Sequence, residues 1–278
     1  MEAAFNAAPI FFGLDAALSK HQEEQPDMKQ PTWLAYHDLA WTESIITSPA
    51  EYAEDTEYFG KIINDNSRIE AKTLLHLGCG AGGNDGTFKK HFKVTGVDIS
   101  EGMLAIARRL NPEVRYIGGD MRNIQLKETF DAVAIPDSIG YMITQEDLRQ
   151  AIMTAYKHLK PGGILLIVAL ISEDFRSNNF VYTGSRGDIE VTIFENNYFC
   201  EFQPTMYEAT FAYLIRRKGN LEVFFDRHTL GLFPLTTWVS LLTDVGFELE
   251  QDKMEHSYDR FMPGEGEYHL RVFACRKP

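Results

Sequence analysis

The stretch Thr73–Ser100, TLLHLGCGAGGNDGTFKKHFKVTGVDIS, decides the fold of this chain. It predicts an apolar strand, a glycine-rich turn, a helix, and a second strand that ends at Asp98. Glycines in the turn let the backbone bend sharply and approach a ligand, because no Cβ stands in the way. Asp98 follows Gly78 by 20 residues, where a carboxylate can accept hydrogen bonds from ribose hydroxyls. The stretch therefore predicts a nucleoside-bearing cofactor across two neighbouring strand ends.

Two glycine spacings overlap in this turn, and they indicate different cofactors. Gly78, Gly80 and Gly83 satisfy the G-x-G-x-x-G pattern of dinucleotide sites. With Gly82 as the third glycine instead, the pattern is the G-x-G-x-G of S-adenosylmethionine (AdoMet) sites. The spacing does not choose between a nicotinamide dinucleotide and AdoMet, so the choice rests on the segments that follow.

The segments after Asp98 continue the alternation of strand and loop. They are VRYIGGD (residues 114–120), FDAVAIPDSIGYM (130–142) and LKPGGILLIVAL (159–170). The first ends in Gly-Gly-Asp, and the second is an apolar strand followed by a polar cluster. This succession resembles the class I AdoMet-dependent methyltransferases, and the resemblance runs from residue 73 to residue 169. It implies the Rossmann-like fold of that family and AdoMet as the cofactor.

The resemblance also implies roles for residues of the glycine loop and the second strand. The loop Gly78–Gly82, which includes Cys79 and Gly80, would approach the methionine part of AdoMet. Asp98 would hold the ribose, although a simple helix cap is the alternative for this residue. One departure is His76, because the family carries an acid two residues before the first glycine. That acid helps to organise the amino-acid end of AdoMet, so the arrangement there stays open.

The remaining cofactor residues implied by the resemblance surround the adenine and the methionine. Asp120 would pair with the adenine amino group, with a turn residue as the alternative. Ile99 and Met103 would flank the adenine, and the Met121 backbone would contact its ring. The residues implied at the edge of the pocket are Tyr36, which would close over the cofactor or pack in the core, and Pro136 at the end of the fourth strand.

Composition narrows the class of protein and its partners. The chain has 278 residues, 44% of them apolar, which indicates one globular core with an elaboration. A net charge of −13 argues against an extended nucleic-acid interface. Three separated cysteines, Cys79, Cys200 and Cys275, give neither a zinc spacing nor a disulfide framework. We expect a cytoplasmic protein without a metal or a membrane span, acting on a small molecule as a monomer or homodimer.

The pattern along the chain predicts an α/β fold with a Rossmann-like, seven-stranded, mostly parallel sheet that ends in a C-terminal antiparallel hairpin. An antiparallel β lid is expected within it, because alternating aromatic runs replace the helices after residue 172. The expected parts are a helical N-terminal arm (1–70), the AdoMet-binding core (71–172), the β insertion on the substrate side (173–230) and the C-terminal part of the sheet (231–278). Core helices are expected near 49–64, 84–92, 101–110, 145–159 and 234–245.

Methyl transfer is an in-line displacement, so the protein must aim the acceptor and exclude water. A neutral amine needs no base, whereas a hydroxyl usually does. Asp137 and Tyr141 are candidate catalytic residues because they follow the fourth strand, beside the expected methyl position. His228 is the third candidate, as a base or an orienting group, although a histidine at the surface or at a strand end is commoner. The segment around Tyr141 resembles aminosugar N-methyltransferases, which favours a nitrogen acceptor.

Two other functions stay open at this point. A nicotinamide-dependent oxidoreductase would use the other reading of the glycine loop, but it expects a proton donor such as Tyr-x-x-x-Lys, and Tyr141-Met-Ile-Thr-Gln does not supply one. A non-catalytic subunit that binds AdoMet would carry the same cofactor motifs. Transfer of a labelled methyl group would separate that subunit from an enzyme.

Overall fold

The computed structural model describes residues 33–47, 50–199, 202–255, 258–263 and 268–278. Residues 1–32, 48 and 49 of the expected N-terminal arm (1–70), together with Cys200, lie outside the described residues. Within the part of the chain that is described, no helix is both long and apolar enough to cross a membrane.

The first half of the described chain alternates strands and helices. Its elements are α1 (Glu43–Ile46), α2 (Ala53–Asn66), β1 (Thr73–Leu77), α3 (Asp85–Phe88), β2 (Lys93–Asp98), α4 (Glu101–Leu110), β3 (Arg115–Gly118), β4 (Phe130–Pro136), α5 (Gln145–His158) and β5 (Leu159–Ala169). The later elements are β6 (Asn178–Arg186), β7 (Ile189–Phe199), β8 (Met206–Arg217), β9 (Asn220–Gly231), α6 (Leu235–Val245), β10 (Glu248–Met254) and β11 (Leu270–Arg276).

Seven strands form the central sheet, in the order β10-β11-β5-β4-β1-β2-β3. Strands β1 to β5 pair in parallel, and β11 pairs antiparallel with both β5 and β10. The strand order reverses between β1 and β4, which places a crevice at the carboxyl ends of these two strands. The predicted fold class, a mostly parallel sheet that ends in an antiparallel hairpin, is confirmed.

Both faces of the central sheet are buried, so the core has three layers. On one face Ile152 of α5 and Trp238 of α6 pack on the sheet. On the other face Ile63 of α2 and Leu104 of α4 pack on it. Every residue of β4 is buried, as expected for a central parallel strand with helices on both sides.

Local capping explains where two helices begin. The Ser100 hydroxyl accepts a hydrogen bond from the Met103 amide at 3.1 Å and caps α4. The Thr144 hydroxyl accepts one from the Asp147 amide at 3.0 Å and caps α5, as the sequence predicts. In contrast, the helix expected over 84–92 is wrong in length, because α3 covers only Asp85–Phe88. Tight turns replace its second half, where Lys90, His91 and Phe92 donate to carbonyls of the preceding turn.

The four strands between β5 and α6 form a separate antiparallel sheet, β6-β7-β8-β9, which we call the second sheet. Lys218 and Gly219 join β8 to β9, and both have positive φ angles of 49° and 84°. A two-residue connection with positive φ at both positions matches the twist of the flanking strands. Gly184 interrupts the alternation of apolar and polar residues in β6. Residues Ile189–Phe199 form one continuous strand, β7.

Asp131 fixes the start of three neighbouring strands of the central sheet. Its carboxylate accepts hydrogen bonds from the Thr73 amide (2.9 Å), the Thr73 hydroxyl (2.7 Å) and the Lys72 amide (3.0 Å). Lys160 of β5 donates to the second carboxylate oxygen at 2.7 Å. Burial would raise the pKa of Asp131, but the hydrogen bonds from Lys160 and Thr73 outweigh it and hold the pKa below its usual range.

We predict that Asp131→Ala lowers the free energy of unfolding by about 2–3 kcal/mol, because it leaves partly buried donors at the start of β1 without their acceptor. Because the folded-state pKa is lowered, the contribution of Asp131 is present at neutral pH and is lost as the pH falls below the ordinary aspartate pKa. Urea unfolding at neutral pH and at about pH 2.5, well below the ordinary aspartate pKa, measures both effects. The control Glu128→Ala removes only an exposed ion pair with Arg115 and is expected to cost at most about 1 kcal/mol. Equal costs for the two variants would contradict the prediction.

Candidate active site

The glycine loop after β1 has the backbone geometry that only glycine adopts easily. Gly78, Gly80 and Gly82 have φ angles of 70°, 53° and 78°, whereas Gly83 is not among the positive-φ residues. A Cβ on Gly78 would lie 2.1 Å from the Ser138 hydroxyl. A Cβ on Gly80 would meet no atom within 4 Å, so the loop faces open space there. The three positive-φ glycines follow the G-x-G-x-G spacing, and the loop is open at Gly80, where a ligand would lie.

Cys79, inside the loop, is a packing residue. Its side chain is buried, and burial raises the pKa of its thiol well above the usual value. The thiol is therefore neutral and has no nucleophilic character at physiological pH.

A buried polar network lies behind the loop, at the position where His76 replaces the family acid. His76 Nδ1 lies 2.7 Å from Asp85 Oδ1, and the two side chains are 1% and 0% exposed. The Tyr116 hydroxyl donates to Asp85 Oδ2 at 2.8 Å. Asn111 Nδ2 donates to the Gly82 carbonyl at 2.9 Å, and its amide nitrogen also lies 3.2 Å from the Tyr116 hydroxyl. The acid that supports the loop thus comes from α3, and His76 connects it to β1.

Asp98 links the end of β2 to the glycine loop. Its Oδ2 accepts a hydrogen bond from the Gly80 amide at 2.8 Å, and its Oδ1 accepts one from the Ser100 amide at 2.8 Å. Burial raises the pKa of this carboxyl, and the two backbone hydrogen bonds act against that rise. A carboxylate has about four lone-pair positions. The Asp98 carboxylate therefore keeps acceptor capacity for two ribose hydroxyls while it positions the loop.

The residues predicted around the adenine lie in different environments. Ile99 is 53% exposed, so an apolar side chain stands open at the end of β2. Met103 is buried and packs with Tyr36, Ala40 and Ala81. An exposed isoleucine beside the Asp98 carboxylate fits an aromatic base that would cover it.

Asp120, at the end of β3, is already engaged with a cation. Arg122 Nε and Nη2 donate to Asp120 Oδ2 at 3.0 and 2.6 Å. Burial would raise the pKa of Asp120, but the Arg122 hydrogen bonds outweigh it and hold the pKa below the usual value. The Met121 side chain packs against the loop, because a Cβ on Gly78 would lie 2.9 Å from its Cε. An adenine amino group would have to share the Asp120 carboxylate with Arg122.

Asp137 directly follows Pro136, the buried last residue of β4. Its φ and ψ angles of 73° and −48° lie in a rare, strained region that often marks functional sites. Asp137 is exposed to solvent, yet enough protein surrounds its carboxylate for burial to raise its pKa. Among the described residues, no side chain forms a hydrogen bond or an ion pair with this carboxylate.

Tyr141 and His228, the other two predicted catalytic residues, are joined by a hydrogen bond. Tyr141, in the short 3-10 helix Ser138–Tyr141, places its hydroxyl 2.8 Å from His228 Nδ1. The Tyr36 hydroxyl lies 2.5 Å from the Tyr141 hydroxyl, and His228 Nε2 lies 3.0 Å from Asp226 Oδ2. We call Tyr36, Tyr141, His228 and Asp226 the hydrogen-bonded chain. His228 is 1% exposed, so the alternative that it is a surface histidine is wrong.

The protonation states of the hydrogen-bonded chain follow from the ionisation of Asp226. Burial would raise the pKa of Asp226, but hydrogen bonds from His228 and the Ala35 amide outweigh it and hold the pKa below the usual value. An ionised Asp226 requires His228 Nε2 to donate, so Nδ1 accepts from Tyr141 and Tyr141 accepts from Tyr36. Burial raises the pKa of both tyrosines, so both stay neutral.

Several residues of this site had no role assigned from the sequence. Asp226 lies two positions before His228 on β9, a spacing that predicts a shared face of the strand but not the hydrogen bond between them. Trp33 packs on the hydrogen-bonded chain, because its ring centroid lies 4.8 Å from that of Tyr141 and 5.2 Å from that of His228. Asp85 carried no signal, because a buried histidine partner is visible only in three dimensions.

Comparisons with known proteins agree with this geometry. The profile of the family described as "Methyltransferase domain" matches residues 74–163. A dTDP-3-amino-3,4,6-trideoxy-alpha-D-glucopyranose N,N-dimethyltransferase from Streptomyces venezuelae is 29% identical over 203 residues, which cover 72% of this chain and 85% of the relative. A dTDP-4-amino-2,3,4,6-tetradeoxy-D-glucose N,N-dimethyltransferase from Saccharopolyspora spinosa is 29% identical over 65% of this chain and 73% of the relative. This chain is an AdoMet-dependent methyltransferase.

Solved structures share the fold of this methyltransferase. DesVI from Streptomyces venezuelae superposes with a TM-score of 0.71 at 23% identity, covering 87% of this chain and 97% of DesVI. CalS10, an amino pentose methyltransferase from Micromonospora echinaspora solved with its cofactor bound, has a TM-score of 0.68 at 22% identity and covers 92% of this chain and all of CalS10. AdoMet is the cofactor, and the nicotinamide reading of the glycine loop is wrong.

We predict that Asp98→Ala weakens AdoMet binding more than tenfold, because it removes both a charged acceptor and the tie to the Gly80 amide. Isothermal titration calorimetry with AdoMet measures the change. Asp98→Asn keeps the shape and one acceptor oxygen, so it is expected to have a smaller effect. An Asp98→Ala affinity within twofold of wild type would rule out a role of Asp98 in binding.

We also predict that His76→Asp, which restores the family acid, destabilises the fold by about 3–5 kcal/mol. The reason is that two buried carboxylates would face each other behind the loop. The exchange His76→Asp/Asp85→His keeps one acid and one histidine, so it should recover most of the loss. Thermal unfolding of wild type, the single variant and the exchange compares the three. A single variant as stable as wild type would show that the pair does not support the loop.

Proposed function

We propose that this methyltransferase transfers a methyl group from AdoMet to the amine nitrogen of a small molecule of the aminosugar type. Two of the relatives described above are N,N-dimethyltransferases of nucleotide-linked amino sugars, which supports this class of acceptor. The observation that carries the proposal is the exposed Asp137 directly after β4, whose carboxylate has no cationic partner among the described residues.

Much of an amino sugar reaches the enzyme as an ammonium ion at neutral pH, because its amine has a pKa of about 8, near that of an α-amino group. The Asp137 carboxylate would attract this cation and hold it beside the glycine loop. Its strained backbone points to a position that the surrounding fold enforces. Asp137 would therefore bind and aim the acceptor nitrogen, which is the main task in a displacement reaction.

The cofactor is proposed to lie across the carboxyl ends of β1 and β2. Asp98 would hold the ribose, and Ile99 would pack on the adenine. Gly78 and Gly80 would admit the amino-acid part, with the loop supported from behind by Asp85. AdoMet supplies a methyl group that is already activated by the positively charged sulfur.

The proton of the ammonium must leave before nitrogen can use its lone pair. We propose that it passes to the Tyr36 hydroxyl, while Tyr36 passes its own proton to Tyr141 and Tyr141 passes its own to His228 Nδ1. The resulting imidazolium is stabilised by the Asp226 carboxylate, which accepts from Nε2 at 3.0 Å. The tyrosines relay the proton without becoming charged, because burial holds their pKa values high.

A cytoplasmic location, independence of metals and a monomeric or homodimeric state stay predictions. So does the role of the second sheet as a lid. Its aromatic face supports that role, because Phe211 packs on His228 with ring centroids 4.9 Å apart and contributes to the exclusion of water from the proton path.

Incubation with methyl-labelled AdoMet and a panel of amino sugars and matched alcohols tests the proposal. We expect label on the nitrogen of an amino sugar and none on the corresponding alcohol. A wild-type enzyme that labels only the alcohol, or transfers to no member of the panel, would contradict the proposed acceptor.

Asp137→Asn is expected to lower kcat/KM about 100-fold, because the ammonium ion loses its counter-charge. In wild type the raised pKa of Asp137 places the acidic limb of kcat/KM above the ordinary aspartate range, and activity falls as the pH falls through it. The limb should be absent in the variant. His228→Gln should lower kcat with little change in KM, which separates proton transfer from binding. An unchanged acidic limb in Asp137→Asn would remove Asp137 from the site.

A further inference from the structure

The ladder of the second sheet places polar side chains in rows on the face that carries His228. Asn197 of β7 pairs with Ala209 of β8, which pairs with His228 of β9. In the next row Glu195 pairs with Phe211, which pairs with Asp226. Glu195 and Asn197 thus lie two strands from the hydrogen-bonded chain, about 10 Å away along the row.

Glu195 is held in one orientation by its neighbours. The Tyr182 hydroxyl donates to its Oε2 at 2.8 Å, and Asn197 Nδ2 donates to its Oε1 at 2.8 Å. Two of the roughly four lone-pair positions of the carboxylate are therefore used, and the others are available. Among the described residues, no lysine or arginine pairs with Glu195. The charged group that acts on the pKa of Glu195 is Asp137, which is a second carboxylate. Neither carboxylate has a cationic partner among the described residues.

Asn197 provides an independent sign of a missing partner. Its side chain is 2% exposed, and its Oδ1 has no hydrogen-bond partner. Its amide nitrogen is satisfied twice, by Glu195 and by Asn178 Oδ1 at 3.0 Å. A buried carbonyl without a donor is costly and rare in folded proteins, so a donor group from a ligand is the natural partner.

We infer that Glu195 and Asn197 form a second substrate subsite, which binds hydrogen-bond donor groups of the molecule whose amine is methylated. The inference rests on the proposed function, and it assigns the substrate class more closely. The unused positions of Glu195 and Asn197 are acceptors, and the Nδ2 of the neighbouring Asn178 is a buried donor without a partner. A hydroxyl group, which both donates and accepts, fits this set of positions. A phosphate would be repelled by both Glu195 and Asp137. The substrate is therefore a polyhydroxylated amine whose hydroxyl-bearing side faces β7, and any phosphate that it carries lies away from this face.

Calorimetry on the enzyme saturated with S-adenosylhomocysteine tests the subsite without requiring turnover. The probes are 3-amino-3-deoxyglucose and cyclohexylamine, which share a six-membered ring and an amine but differ in their hydroxyl groups. We expect wild type to bind the amino sugar at least tenfold more tightly than cyclohexylamine. Glu195→Gln should remove most of this preference by weakening binding of the amino sugar alone.

The control Glu190→Gln lies on the same strand but points to the opposite, exposed face, so the preference should persist. Tyr182→Phe, which loosens the hold on Glu195, should give an intermediate loss. Thermal unfolding of each variant establishes that it is folded. The subsite is disproved if wild type shows no preference or if Glu195→Gln leaves it unchanged. A clear preference without methyl transfer to any amine would instead overturn the proposed function.

Discussion

The hydrogen-bonded chain of Tyr36, Tyr141, His228 and Asp226 is the interaction on which the active site depends. Its members come from three parts of the fold: the segment before α1, the 3-10 helix after β4, and strand β9 of the second sheet. Buried polar groups must be hydrogen-bonded, so each part leaves an unsatisfied group if it separates from the others. The second sheet is thus tied to the methyltransferase core by the same groups that are proposed to carry the proton.

The cofactor edge is connected to this chain through Ser100. Its hydroxyl donates to the Tyr36 carbonyl at 2.5 Å and also caps α4 by accepting from the Met103 amide. Its own amide donates to Asp98, which in turn holds the Gly80 amide. A displacement of Tyr36 would therefore be transmitted to the glycine loop through these hydrogen bonds. This coupling gives the protein a physical means to align the acceptor side with the cofactor side.

The carboxylates of this protein differ in whether a cation offsets them. Asp120 pairs with Arg122, and Asp131 pairs with Lys160. Asp137 and Glu195 are enclosed enough for burial to raise their pKa values, and no described cation offsets this rise. Unpaired carboxylates in a crevice are costly to maintain, which is the pattern expected where a cationic substrate supplies the missing charge.

The sequence by itself determined the central sheet, the glycine loop and Asp98, because these depend on apolar periodicity and on local turn chemistry. It also placed Asp137 and Tyr141 after β4, where position along a strand is enough. Only the tertiary structure brought His228 to Tyr141, paired His76 with Asp85, and set Glu195 and Asn197 across from Asp226 and His228. Such contacts join residues far apart in the chain, and no local pattern encodes which side chains meet when two sheets pack.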